Sequence, residues 1–230
     1  YEISTRDWSS DVCSSDLTTL DLPAGAVRLR GSLATAGRSS PLFLLLEVPA
    51  EHPLAPGLAA LADAVTRLGL DTLSVPLLAP GEGAVERHTH HLRRDVALLA
   101  GRLAHVLHDL KDHTETRGRP PVIVSAGHAT AAALVCAASL PGRILGVVGW
   151  QGRPDLAGLA LDRTTAPVLL MVEDGHDPLV ELNRSYAEAS NRSGAAIGRL
   201  IVIALVGALL VAAIVALLLA VLITRSVVSA

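Results

Sequence analysis

Short apolar runs that alternate with helical patterns constrain the fold of this chain more than any other feature. Mostly apolar runs occupy 41–48, 122–126, 143–150 and 166–174, as expected of strands buried on both faces. Residues 92–111 space apolar side chains by three or four, which predicts an amphipathic helix. Strands that alternate with helices across short Gly/Pro turns predict an α/β fold, a mostly parallel sheet with helices on both faces.

The rest of the pattern fits this frame. Residues 25–34 alternate apolar side chains with arginines, which predicts an edge strand, and residues 79–91 read as a loop. The other predicted elements are a helix at 56–69, a strand at 71–78, a helix at 130–139 and a helix at 178–189.

Composition excludes several classes of function. A chain of 230 residues allows one domain plus an appendage, and a formal net charge of −3 gives no basic surface for nucleic acid. Two cysteines, Cys13 and Cys136, are too few for a disulfide framework. Neither G-x-G-x-x-G nor a Walker motif occurs, so we expect no nucleotide cofactor, and no cofactor of another kind is indicated.

Three close histidines, His88, His90 and His91, raise the question of a zinc site. No cysteine lies beside them and the HExxH spacing is absent, so a closed tetrahedral set is not supported. We interpret this stretch as a solvated, mildly basic loop and expect no metal.

The N-terminal residues have a different character. The stretch DWSSDVCSSDL, residues 7–17, resembles a frame translation of a sequencing-adapter oligonucleotide. We therefore set residues 1–17 aside as an artefactual tail, with a natural polar tail as the alternative. Tyr1 opens the chain and Met171 is its only methionine, so we expect a fragment, and the Ala/Leu/Val/Gly/Arg-rich composition is typical of a GC-rich bacterial genome.

The C-terminal region predicts a membrane span. Residues 200–224 carry no charge and lie between Arg199 and Arg225. More than twenty apolar residues at about 1.5 Å each span a hydrocarbon core of about 30 Å. We expect one continuous transmembrane helix here, after a linker at 191–199 and before a short tail at 225–230; a buried core helix is the alternative. The symmetric arginines give no orientation.

Two motifs carry a family resemblance. VIVSAGHATAAAL, residues 122–134, has the outline of a nucleophile elbow, in which a strand enters a sharp turn and a helix follows. GWQGRPDLAGLALDRTTAPVLLMVEDGHDPLVELNR, residues 149–184, resembles dienelactone-hydrolase-like α/β hydrolases, including the branch found fused to or beside phosphoribosyltransferase domains. The resemblance implies an α/β-hydrolase domain over residues 18–190 and descent from ester and lactone hydrolases.

The resemblance carries the catalytic residues over only in part. The nucleophile maps to Ala129, within Gly127-His128-Ala129-Thr130-Ala131, and the acid maps to Asp177. The oxyanion segment, residues 47–57, lacks the flexible glycines of the family until Gly57. The catalytic histidine is implied after one further strand, but no histidine follows Asp177, so we expect the sheet to stop before that strand.

Several other residues could carry catalytic chemistry at a different position. Ser125 lies within a predicted strand and is expected to be a buried structural serine, and Cys136 is expected in the core. His128 beside the turn is a weaker candidate for a ligand or base, with an exposed loop histidine as the simpler interpretation. Asp177 precedes a proline, so turn or N-cap duty explains it as well as a relic acid does.

The C-terminal segment has a resemblance of its own. Residues 199–230 resemble the last transmembrane helix of a methyl-accepting chemotaxis receptor entering its HAMP linker. The expectation is thus a catalytically inactive hydrolase domain in the cytoplasm, held by a single membrane pass. The alternatives are a membrane-anchored sensory module that binds a small apolar or ester-like ligand, and a chimeric gene product without function as a unit.

Overall fold

Eight strands form one sheet in the computed structural model. It describes residues 16–35, 41–48, 64–65, 67–173, 178, 180–185 and 201–205. The strands are β1 Asp16–Ala24, β2 Val27–Thr35, β3 Leu42–Glu47, β4 Thr72–Pro76, β5 Pro121–Ala126, β6 Gly146–Trp150, β7 Val168–Glu173 and β8 Ile201–Leu205.

The strand order is β1-β2-β4-β3-β5-β6-β7-β8. β1 pairs antiparallel with β2, and β2 pairs antiparallel with β4. All other neighbours are parallel. The predicted α/β architecture with a mostly parallel sheet is confirmed.

The central strands are buried on both faces, as their continuous apolar sequence predicted. Leu44 and Ile123 point into the larger core, which the helices cover. Phe43 and Val124 point into a second core on the opposite face, where they pack with Val65 of a helical segment. Successive side chains of a strand alternate between faces, so one apolar run supplies both cores.

Four helices complete the part of the chain that the structure describes in detail. They are α1 Pro80–Thr89, α2 Val96–Leu110, α3 His128–Ser139 and α4 Ala160–Arg163. Asp95 caps α2, since its side chain accepts a hydrogen bond from the Leu98 amide at 2.9 Å. The helix predicted at 92–111 therefore starts later than expected, because residues Leu92–Arg94 form a separate 3₁₀ turn.

Helix α1 overturns the loop predicted at 79–91. Pro80 starts the helix, and the Glu82 carboxylate accepts a hydrogen bond from the Ala79 amide at 2.9 Å. Glu86 is buried and accepts hydrogen bonds from the amides of Leu92 and Arg93. The glycines of this stretch made it look like a loop, whereas the two carboxylates stabilise both ends of a helix.

The edge of the sheet also differs from the prediction. The strand predicted at 25–34 is β2, which lies inside the sheet, and β1 forms the edge. β1 begins at Asp16, so residues 16 and 17 of the segment set aside above belong to the strand. Leu17 is 75% exposed there and adds little to the core.

Strand β8 contradicts the prediction of one continuous helix over residues 200–224. Ile201–Leu205 pair in parallel with β7, from Leu169↔Ile201 to Glu173↔Leu205. They also supply the strand that was expected to be missing. An apolar run rich in Ile and Val suits a buried strand as well as a helix, and the open edge of β7 offers hydrogen-bond partners.

The rest of that run, residues 206–224, lies outside the described residues. Among the residues that the structure describes, no helix has the length and apolar content that crossing a membrane requires.

Shortening the chain tests the role of β8. We expect a chain ending at residue 200 to be less stable than one ending at residue 205 by at least about 2 kcal/mol, because β7 loses several backbone hydrogen bonds worth about 1 kcal/mol each. Urea unfolding followed by circular dichroism measures the difference. Equal stabilities would contradict the pairing of residues 201–205 with β7.

Candidate ligand site at the strand-to-helix turn

The topology places a switch point at the carboxyl ends of β3 and β5. From β3 the chain proceeds to β4 on one side, and it later enters β5 on the other side. Open α/β sheets bind ligands at such a switch point, outside the carboxyl ends of the strands. The turn that follows β5 borders this point and contains the candidate elbow.

Gly127 forms the sharp turn between β5 and α3. Its backbone has φ +51° and ψ −125°, a conformation that favours glycine. The Gly127 amide donates to the Trp150 carbonyl at 3.1 Å, so the turn stays joined to β6. The Gly127 carbonyl accepts from the amides of Thr130 at 3.3 Å and Arg153 at 3.2 Å. A strained turn directly between strand and helix is the setting of the nucleophile in an α/β-hydrolase elbow.

The sequence predicted Ala129 as the tip of this turn, and the structure contradicts that prediction. It is the second residue of α3 and is only 1% exposed. The helix begins at His128, two residues before the predicted start, and so includes Ala129 in its first turn. Counted from the turn, the small-residue pattern of G-x-S-x-G falls on Ser125, Gly127 and Ala129, with Gly127 in the middle. The sequence allows this register as well as the one centred on Ala129, and the structure decides between them.

Two buried hydroxyls, one in β5 and one in α3, lie next to the turn. Ser125 and Thr130 are both fully buried. The Ser125 hydroxyl lies 3.1 Å from the Thr130 hydroxyl and 3.2 Å from the Val148 carbonyl, and its single proton is donated to one of these two acceptors at a time. Both hydroxyls are therefore engaged in buried hydrogen bonds between β5, β6 and α3, whereas an attacking hydroxyl has to reach the substrate.

Two glycines make room for Thr130. A Cβ at Gly149 would lie 2.6 Å from Thr130 Cγ2, and a Cβ at Gly152 would lie 2.9 Å from the same atom. Both distances are shorter than side-chain carbons tolerate. Thr130 thus fills the space between the start of α3 and the end of β6, a role that the sequence analysis missed.

An ion pair lies beside the turn. The Arg153 guanidinium donates to both carboxylate oxygens of Asp155, at 2.8 and 2.6 Å. This hydrogen bonding lowers the pKa of Asp155, burial opposes the shift, and the charge of nearby His128 adds a smaller lowering effect. His128 is half-buried and lies close enough to Asp155 to contribute to this lowering of its pKa.

The lowered pKa of Asp155 predicts an acid dependence. A carboxyl group with a depressed folded pKa stabilises the fold above its unfolded pKa of about 3.9, and this contribution is lost as the pH falls through the folded pKa. Asp155→Asn should therefore lower the free energy of unfolding by about 0.5–1 kcal/mol at pH 7, where the partly exposed ion pair is intact. The difference from the parent chain should shrink below about pH 3.5. Urea titrations at pH 7 and pH 3 measure it, and a constant difference would contradict the ion-pair explanation.

The remaining candidate residues from the sequence are partly described by the structure. Asp177 and most of the oxyanion segment, residues 49–57, lie outside the described residues. Cys136 is confirmed in the core: it is 2% exposed, its thiol donates to the Ala100 carbonyl at 3.2 Å, and burial raises its pKa to about 12. Within the described ranges, no group of three His, Cys, Asp or Glu side chains could hold a metal ion.

Solved structures of hydrolases resemble this chain over most of its length. Dienelactone hydrolase from Anabaena variabilis is 28% identical, with a TM-score of 0.73 over 87% of this chain and 95% of that one. Est1E from Butyrivibrio proteoclasticus shares 10% identity and a TM-score of 0.67, over 90% of this chain and 99% of that one. A dienelactone-hydrolase-like promiscuous phosphotriesterase from metagenomic libraries shares 20% identity and a TM-score of 0.58, over 83% of this chain and 81% of that one.

Sequence comparison gives a shorter match. Proteins of two Mycobacterium tuberculosis strains, named as phosphoribosyl transferases, are 37% identical over 123 residues, which is 54% of this chain. The match spans 27% of those relatives' own length. No known family model matches the sequence. The structural similarity nevertheless covers most of the chain, and the chain has an α/β-hydrolase fold similar to that of dienelactone hydrolases.

Proposed function

We propose that this chain is a dienelactone-hydrolase-type domain, related to ester and lactone hydrolases, that does not hydrolyse esters through a serine or cysteine. One observation carries the proposal: the residue in the strained turn between β5 and α3 is Gly127, which has no side chain to attack a carbonyl. Ser125 and Cys136 are buried in structural contacts. Removing a triad serine lowers turnover by about 10⁶-fold.

The remaining machinery supports the same proposal. In this fold the amide that follows the nucleophile forms part of the oxyanion hole, and here that amide belongs to His128. Without an attacking atom at Gly127 no tetrahedral oxyanion forms, so this donor has no transition state to stabilise. Residues 206–230, which follow β8, contain no histidine to act as a base. In this proposal the switch point between β3 and β5 binds a small ester-like ligand without cleaving it.

Hydrolysis of p-nitrophenyl acetate tests the proposal. We expect the purified chain and its Ala129→Ser variant to show only the buffer rate, because the new hydroxyl would be buried in α3 and lack a base. Ser125→Ala and His128→Ala are the controls. Saturable turnover that either control removes would show that the chemistry has moved to those residues and would overturn the proposal.

A membrane-anchored binding module is the second candidate. It is favoured by the uncharged run at residues 206–224, which at about 1.5 Å per residue nearly matches a hydrocarbon core of about 30 Å. In this version β8 ends the cytoplasmic domain and the span follows directly. Flotation of the full chain with lipid vesicles, compared with a chain ending at residue 205, tests it; equal recovery of both chains in the lipid fraction would reject it.

The phosphoribosyl transferase name of the mycobacterial relatives does not lead us to propose that activity. The sequence has neither of the Gly-rich phosphate-binding patterns considered above. The two unusual ends of the chain also leave a chimeric gene product as an alternative. Long sequencing reads across the source locus test this alternative. They show whether the codons for residues 1–17 and 190–230 are contiguous with the codons for the rest of the chain.

A further inference from the structure

A fully buried amide joins the helical segment 180–185 to the turn region. Asn183 is 0% exposed, and its side-chain nitrogen donates to the Gly152 carbonyl at 3.2 Å. Burying an amide costs free energy unless it forms hydrogen bonds, so this contact has a directional role beyond filling space. The sequence placed Asn183 in the family-like ELNR stretch without indicating what it binds.

The hydrogen bonds continue from Gly152 to the elbow. Residues 151–153 follow β6, and the amide of Arg153, next to Gly152, donates to the Gly127 carbonyl at 3.2 Å. The Gly127 amide in turn donates to the Trp150 carbonyl at 3.1 Å. The backbone of the turn is thus fixed on both sides by the end of β6 and the segment after it, and Asn183 fixes that segment.

Gly152 packs closely against helix α3. A Cβ at Gly152 would meet Thr130 at 2.9 Å, so the chain runs directly against the first turn of α3. The Asn183 amide donates to the carbonyl of the same residue, so Gly152 is held both by its close packing against Thr130 and by a hydrogen bond from the helical segment 180–185.

We propose that Asn183 is a positioning residue: its amide holds residues 151–153 against α3 and thereby fixes the backbone of Gly127 in the elbow. The effect is local. Loss of the amide increases opening of the turn more than opening of the distant β2–β4 part of the sheet. The inference does not depend on whether the elbow binds a ligand or performs chemistry.

Amide hydrogen exchange by NMR on the full chain tests the proposal. In Asn183→Leu, which keeps the side-chain volume close but cannot donate, we expect exchange at Arg153 and Gly127 to accelerate at least about tenfold. Amides of β2 and β4 should change little by comparison. Ser185→Ala, on the exposed side of the same helical segment, is the matched control and should leave Arg153 and Gly127 unchanged.

Asn183→Asp provides a second, pH-dependent arm that does not rely on the leucine variant folding. The protonated carboxyl can donate to the Gly152 carbonyl, whereas the carboxylate cannot and repels it. After correction for intrinsic exchange, we expect near-parent protection of Arg153 at pH 4 and reduced protection at pH 8. Unchanged exchange in Asn183→Leu, acceleration spread evenly over the sheet, or an aspartate variant without pH dependence would each overturn the proposal.

Discussion

A cysteine placed at Gly127 is expected to react with iodoacetamide about 100-fold faster than a cysteine placed at Ala129, which corresponds to a difference of about two units in thiol pKa. Gly127 lies at the tip of the turn and at the N-terminus of α3, where the helix dipole lowers the pKa of a thiol. Gly127 and Ala129 are both buried, but Ala129 lies inside the first turn and packs in the larger core, where burial raises the pKa of a thiol without the helix N-terminus to offset it.

The two native cysteines can be controlled in this experiment. Cys136 is buried, with a pKa of about 12, and should stay unmodified in the folded chain. Cys13 lies outside the described residues, so both variants are made in a Cys13→Ser background. The rates are measured by mass spectrometry of the alkylated chain. A faster rate at residue 129 would place the tip where the sequence analysis predicted it and reject the turn at Gly127.

Gly149→Ala is expected to destabilise the fold by about 1–3 kcal/mol, the usual cost of overpacking a core. The new Cβ would lie 2.6 Å from Thr130 Cγ2 and 2.9 Å from Leu170 Cδ2, and both atoms belong to buried side chains that cannot move away freely. Combining it with Thr130→Ala removes the first of these clashes, so part of the loss should be recovered.

Urea unfolding of the two single variants and the double variant measures the coupling between the sites. Gly101→Ala is the matched control, because residue 101 lies in α2 and a Cβ there would meet no atom within 4 Å. It should instead stabilise the chain by about 0.5–1 kcal/mol, since alanine favours a helix over glycine. A Gly149→Ala chain as stable as the parent would show that Thr130 is not closely packed between β6 and α3.

Much of the fold could be predicted because burial leaves a direct trace in sequence. The runs that became β3, β5, β6 and β7 are apolar on both faces, and no surface strand shows that pattern. The Ala-rich helix after β5 and the burial of Cys136 within it could also be predicted, because that segment is apolar in sequence. Helix α1 was missed because its stability comes from two carboxylates whose arginine partners lie outside the helix: Arg102 donates to Glu82, and Arg93 donates to Glu86.

The sequence by itself determined the class of fold and the place of the candidate elbow, because alternating periodicity and a strand entering a small-residue turn are local properties. Only the tertiary structure decided which residue is the tip. The choice between Gly127 and Ala129 depends on where the pairing with Trp150 ends and the packing of Thr130 begins. The strand at Ile201–Leu205 was likewise decided by the open edge of β7, since hydropathy measures how apolar a segment is and carries no information about the partner that its backbone will find.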